Sequence, residues 1–151
     1  MRLEGSCHCG AVRFTVEAQE PVPYQRCYCA ICRKTAGAGG FAINIGARTA
    51  GMTVAGQGDV ATYASSEGTE RAFCHRCGSA LWVFSHAWPD LIHPHASAID
   101  TPLPVPPERT HLMLGSRAGW AVPQVGPGDL TFDGYPEESL ADWHERTGMG
   151  V

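Results

Sequence analysis

The sequence predicts a mainly β protein, a single domain over residues 1–151 built of short antiparallel strands with a cysteine clamp and a short C-terminal helix. Three observations carry that expectation. Between Phe41 and Ile99, short apolar runs alternate with Gly, Ser and Asp turn residues, the rhythm of a sandwich or barrel-like fold. Val12, Phe14 and Val16 alternate with Arg13, Thr15 and Glu17, the period of two that gives a strand one buried face. All seven cysteines fall into a triad, Cys27, Cys29 and Cys32, and two pairs, Cys7 with Cys9 and Cys74 with Cys77.

Taken in order, the first cysteine pair precedes the strand around Val12 to Val16, with Gly10 easing the turn. Pro21 and Pro23 mark a loop, and a short strand from Tyr24 to Tyr28 leads into the triad. Arg33 to Gly40 reads as a loop, because Gly37, Gly39 and Gly40 permit close backbone approaches. Strands are then expected at Phe41–Ile45, Met52–Ala55, Val60–Ala64, Arg71–Phe73, Ala80–Ser85 and Leu91–Ile99, with a last one at His111–Leu114. Pro102, Pro104, Pro106 and Pro107 stiffen the connector before that last strand, since proline fixes φ and removes a donor. Beyond it, residues 136–147 read as a helix in a C-terminal extension: Pro136 near the first turn, acids early, basic residues late and Gly148 as the stop. Leu140 and Trp143 would share its buried face.

A chain of 151 residues with 44% hydrophobic content can form a core of its own. The formal charge is −4, and ten arginines and one lysine are scattered rather than clustered, which argues against a nucleic-acid surface. No stretch has the apolar length of a membrane span, and Met1 to Gly5 lacks a signal-peptide core. A soluble, cytoplasmic protein is therefore expected. In a reducing compartment, clustered cysteines in odd number suit metal ligation better than disulfides. Nothing in the sequence sets an oligomeric state.

A redox role for Cys74-x-x-Cys77 is disfavoured because such pairs open a helix, whereas strands surround this one. Metal ligation remains, and four plus three is its natural arithmetic: a structural zinc takes four protein ligands, a reactive one keeps a position open. Cys7, Cys9, Cys74 and Cys77 form the first set most naturally, although Cys7 and Cys9 could instead join two triad members. Cys27, Cys29 and Cys32 are then the candidate catalytic site. Three thiolates make zinc a weak Lewis acid, better suited to carrying an exogenous thiolate than to making hydroxide. A hydrolase is disfavoured for that reason, and a second structural clamp, with one of His8, His75, His93 and His95 or a backbone group as fourth ligand, is the alternative. His8 and His75 lie between ligands and should point outward, while His93 and His95 share a strand face. Arg33 and Lys34, directly after the triad, are candidate substrate-binding residues for an anion.

Gly5-Ser-Cys-His-Cys-Gly-Ala-Val12, Cys27-Tyr-Cys-Ala-Ile-Cys-Arg-Lys34 and Arg71-Ala-Phe-Cys-His-Arg-Cys-Gly-Ser-Ala-Leu81 resemble the glutathione-dependent formaldehyde-activating enzyme family, which includes centromere protein V. The likeness runs from about Leu3 to Trp120, with the tail from Tyr135 to His144 resembling that of some bacterial members. Tyr28 stands where many relatives have histidine. The resemblance implies a β-tent fold, a structural zinc on Cys7, Cys9, Cys74 and Cys77, and a second zinc on Cys27, Cys29 and Cys32. It further implies a carbon–sulfur lyase or thiol-adduct synthase that joins glutathione to formaldehyde as S-hydroxymethylglutathione. A non-catalytic zinc-binding interaction module, as in the centromere relative, is the alternative.

Overall fold

The computed structural model describes residues 1–151. Its frame is a seven-stranded sheet made of β1 (Arg2–Ser6), β2 (Arg13–Glu20), β4 (Gly46–Ala55), β5 (Val60–Ser66), β6 (Thr69–Cys74), β7 (Ala80–Ser85) and β8 (Leu91–Pro94). The spatial order is β1-β2-β4-β8-β7-β6-β5, antiparallel throughout. Leu3, Phe14, Val16, Ala18, Ile45, Ala47, Ala72, Leu81 and Ile92 fill the core on one face. The β1–β2 turn also meets the β6–β7 turn, where the His8 N–H donates to the Ser79 hydroxyl at 3.0 Å. The sheet therefore curls until its distant turns touch.

Across the other face lies a small sheet of β3 (Gln25–Cys27), β9 (Thr110–Leu112) and β10 (Leu130–Thr131), in the order β10-β9-β3. Its pairings are parallel, so the expectation of antiparallel strands holds for the large sheet and fails here. His111–Leu114 is likewise not the last strand: β9 ends at Leu112, a 3-10 turn follows at Leu114–Ser116, and β10 comes later.

Four further expectations are corrected. The segment read as a loop from Arg33 to Gly40 opens within a helix, α1 (Ala30–Ala36), capped by the Cys29 sulfur, which accepts from the Cys32 N–H. Gly37 ends it, and a Cβ there would stand 2.5 Å from the Phe41 carbonyl oxygen. Phe41–Ile45 forms only isolated bridges, Ala42 to Cys27 and Asn44 to His95, and Leu91–Ile99 breaks after Pro94 into a 3-10 turn at Ala96–Ala98. The C-terminal helix α2 (Leu140–Thr147) starts later than residue 136, because the Ser139 hydroxyl and the Asp142 carboxylate form a reciprocal capping box. As expected, Trp143 is fully buried and Leu140 packs with it; Trp143 stacks on Tyr24 at 3.8 Å. No helix is long and apolar enough to cross a membrane.

Candidate metal centres

Two turns of similar build supply the first centre. After β1, Cys7 accepts the Gly10 N–H at its carbonyl, and after β6, Cys74 accepts that of Gly78; each glycine sits at a φ of +77°. Left-handed backbone of that kind suits glycine, which has no Cβ to clash. The turns place the sulfurs of Cys7, Cys9, Cys74 and Cys77 within 4.8 Å of one another. The Cys7–Cys9 and Cys9–Cys74 separations are 3.6 and 3.8 Å. Tetrahedral zinc with Zn–S bonds of about 2.3 Å requires sulfurs about 3.8 Å apart, so the four thiols fit that ion. His8 and His75 are exposed, as expected of residues between ligands.

The second centre gathers Cys27 from the end of β3, Cys29 from the cap of α1 and Cys32 from its first turn, again with sulfurs within 4.8 Å. The three are unequal. The thiols of Cys27 and Cys32, aided by the N–H groups of Cys32 and Ile31, hold the Cys29 thiol far below its ordinary pKa despite burial. Cys27 is pushed up by Cys29, Cys32 and burial. A thiolate at Cys29 is thus supported by donors already in place.

Arg71, missed in the sequence reading, reaches the triad from β6. It is 9% exposed and donates from Nε to Ser65 at 3.0 Å, from Nη1 to Thr35 at 3.2 Å and from Nη2 to the Cys32 sulfur at 3.6 Å. None of the chain's six ion pairs includes it. A buried guanidinium with no carboxylate needs a counter-charge, and a metal on three thiolates would carry one. The donor set and Arg71 therefore fit a divalent soft-ligand ion such as zinc.

The triad opens on a cleft of about 270 Å³ that also includes Asn44, Arg71, Val83, Trp88, His93 and Tyr135. The buried Asn44 side-chain oxygen has no partner, and burial lowers the pKa of His93 and keeps its imidazole neutral. His95 lies apart from the triad, beside Arg71 in a neighbouring cavity. Of the four histidines offered as a fourth ligand, His93 alone lines the cleft. Arg33 and Lys34 are not brought to the cleft. They line a larger cavity of about 650 Å³ with Ser6, Cys7 and Asp100, which shares no residue with the triad's.

Period-two alternation could have put Arg71 on the face opposite Ala72, but no local signal says that α1 lies over that face. Under the triad loop, Asp129 accepts from His111 Nε2 at 3.1 Å, and His111 Nδ1 lies 3.4 Å from the Tyr28 hydroxyl. That buried chain supports the segment carrying Cys27 and Cys29.

Residues 2–114 match the sequence model of the glutathione-dependent formaldehyde-activating enzyme family. A Halomonas elongata protein, provisionally named a glutathione-dependent formaldehyde-activating enzyme, is 53% identical over 154 aligned positions, covering 99% of this chain and 98% of its own. A crystal structure of a Rhodobacter sphaeroides protein shares the fold, with a TM-score of 0.55 at 22% identity, over 87% of this chain and 99% of that one. The chain belongs to the glutathione-dependent formaldehyde-activating enzyme family.

Proposed function

We propose that the protein is a zinc-dependent carbon–sulfur lyase, or thiol-adduct synthase, that interconverts glutathione plus formaldehyde with S-hydroxymethylglutathione. The observation that carries this reading is the asymmetry of the two centres: four thiols close one, while three thiols face a cleft at the other. The family and the name of the Halomonas relative support the substrates. Cys7, Cys9, Cys74 and Cys77 would hold the structural zinc, and Cys27, Cys29 and Cys32 the second.

Zinc on the triad would supply a Lewis acid that keeps a substrate thiol ionised at neutral pH. In the forward direction a sulfur–carbon bond forms, the carbonyl π bond opens, and the thiol proton ends on the former carbonyl oxygen. Arg71, against Cys32, offsets the negative charge of the thiolates. Asn44 lines the cleft, where its amide N–H would meet the developing alkoxide, and the neutral His93 imidazole would take the thiol proton and hand it on to that oxygen. Arg33 and Lys34, in the separate cavity, would draw an anionic substrate toward this side of the molecule rather than hold it.

Exchange NMR of mixed glutathione and formaldehyde tests the reading. The wild type should accelerate exchange and Cys29→Ser should not. Equal rates with and without the wild-type protein would remove this substrate pair, and the interaction-module reading would take its place.

A further inference from the structure

The triad cleft does not end at the triad. Trp88 and His93 line it and also line a second groove of about 500 Å³ that runs toward α2 and contains Glu20, Gly46, Arg48 and Leu140. The register explains why these residues meet. Arg71 on β6 pairs with Val83, and Val83 with His93. Ala47 pairs with Ile92, which sets Gly46 alongside His93, and Gly46 pairs with Glu20. One row of residues thus crosses five strands from beneath the triad to Glu20.

Glu20 reaches that face only through a break in the ladder. Glu17 pairs with Arg48 and Glu20 with Gly46, so three steps along β2 match two along β4. Such a bulge re-aims a side chain; a regular strand would turn Glu20 to the face opposite Glu17. Gly46 completes the arrangement, since a Cβ there would lie 2.6 Å from Glu20 Oε2. Neither Glu20 nor Arg48 belongs to any of the six ion pairs. The groove thus ends in a carboxylate and a guanidinium without ion-pair partners, and Trp88, 63% exposed, stands at its junction with the cleft.

We infer that this groove selects the thiol substrate by its zwitterionic amino-acid end: Glu20 takes the α-ammonium and Arg48 the α-carboxylate of a γ-glutamyl group, while Trp88 covers the stem between that group and the thiol. The inference rests on the thiol reading of the triad above. Two strand spacings, about 10 Å, separate the His93 position on the wall of the triad cleft from Glu20, of the order of the reach from the cysteinyl sulfur to the α-ammonium of an extended γ-glutamyl thiol. A carboxylate and a guanidinium fork lining one groove, without an ion pair between them, offer complementary partners to an ammonium and a carboxylate on one carbon. Thiols without that group, such as cysteinylglycine, forfeit both contacts.

S-methylglutathione, whose sulfur is capped, reads the groove without any need for reaction. Calorimetric titration of the zinc-loaded full-length protein should give binding that Glu20→Gln and Arg48→Met each weaken roughly tenfold or more. Glu67→Gln, a control in the β5–β6 turn, should leave it unchanged. Should Arg48→Met fail to fold, the isosteric Glu20→Gln decides alone. Failure of S-methylglutathione to bind the wild type, or binding indifferent to Glu20 and Arg48, overturns the inference. Thiol–formaldehyde exchange with such indifference sinks the groove alone. Binding that depends on both residues without exchange sinks the proposed reaction and keeps the groove.

Discussion

Arg71 shows how a single side chain joins the two layers of the site. Its fork reaches Ser65 on β5, Thr35 on α1 and Cys32 of the triad. Arg71→Met keeps most of the stem but removes both the charge and the three donors. Groups of this kind behind metal ligands typically change metal affinity by about 10- to 100-fold. Competition with a chromophoric chelator should therefore show the weaker of two zinc sites loosened by that order, with the tighter one unaffected; an unchanged second site would mean that Arg71 serves packing alone. Its neighbour His95 gives a pH signature. Burial, with Arg71 adding to it, pushes the His95 pKa from 6.5 down to about 4. The unfolded chain thus takes up a proton near pH 6.5 that the folded protein accepts only near pH 4. Stability from this residue is full above pH 6.5 and is lost as pH falls toward 4, on the order of 2 kcal/mol by pH 5. Urea unfolding between pH 7.5 and 5 should show a flatter pH dependence for His95→Gln than for the wild type, and parallel curves would refute the linkage.

At the scale of elements, α1 matters most, because its cap and first turn hold two of the three triad thiols. It is only seven residues long and is stopped where Gly37 meets the Phe41 carbonyl. Gly37→Ala forces backbone against a new Cβ, so it should destabilise the protein by about 1–3 kcal/mol, the usual range for overpacking, and shift the helix that carries Cys32. Thermal unfolding and zinc affinity should fall together; a loss of stability with unaltered second-site affinity would separate the helix from the metal. This helix was not legible in the sequence, for reasons that are physical. Seven residues show too little 3.6-residue periodicity to outweigh the glycines that follow, and cysteine is an unusual cap. Strand β2 was legible because alternation along a half-buried strand is local, and β7 because its short apolar run is bounded by turn residues. The parallel sheet was not, since two- and three-residue strands pair across long separations and leave no pattern. The cysteine sets were readable from spacing, whereas Arg71, Asn44 and the Glu20–Arg48 groove depend on which layer covers which face.

At the scale of the whole molecule, the first centre ties the curled sheet together. Cys7 and Cys9 follow β1 at one edge, Cys74 ends β6 and Cys77 follows it near the other, and β2, β4, β8 and β7 lie between them in the sheet. A metal there joins two turns that the sheet order alone would keep several strands apart. The second centre differs in kind, because all three of its thiols come from residues 27–32. Its loss frees a short segment, while loss of the first opens the sheet. Structural zinc contributes on the order of 10–16 kcal/mol of apparent binding free energy, against a net domain stability of about 5–15 kcal/mol. Cys77→Ser should accordingly yield an unfolded or insoluble protein. Cys29→Ser should stay folded, with a near-native circular dichroism spectrum and one zinc per chain by metal analysis, where the wild type should give two. Stepwise chelation of the wild type should follow the same order: the first zinc leaves without unfolding, and the second leaves with the cooperative loss of β structure. If Cys29→Ser unfolds as Cys77→Ser does, both centres are clamps and the triad loses its claim to chemistry.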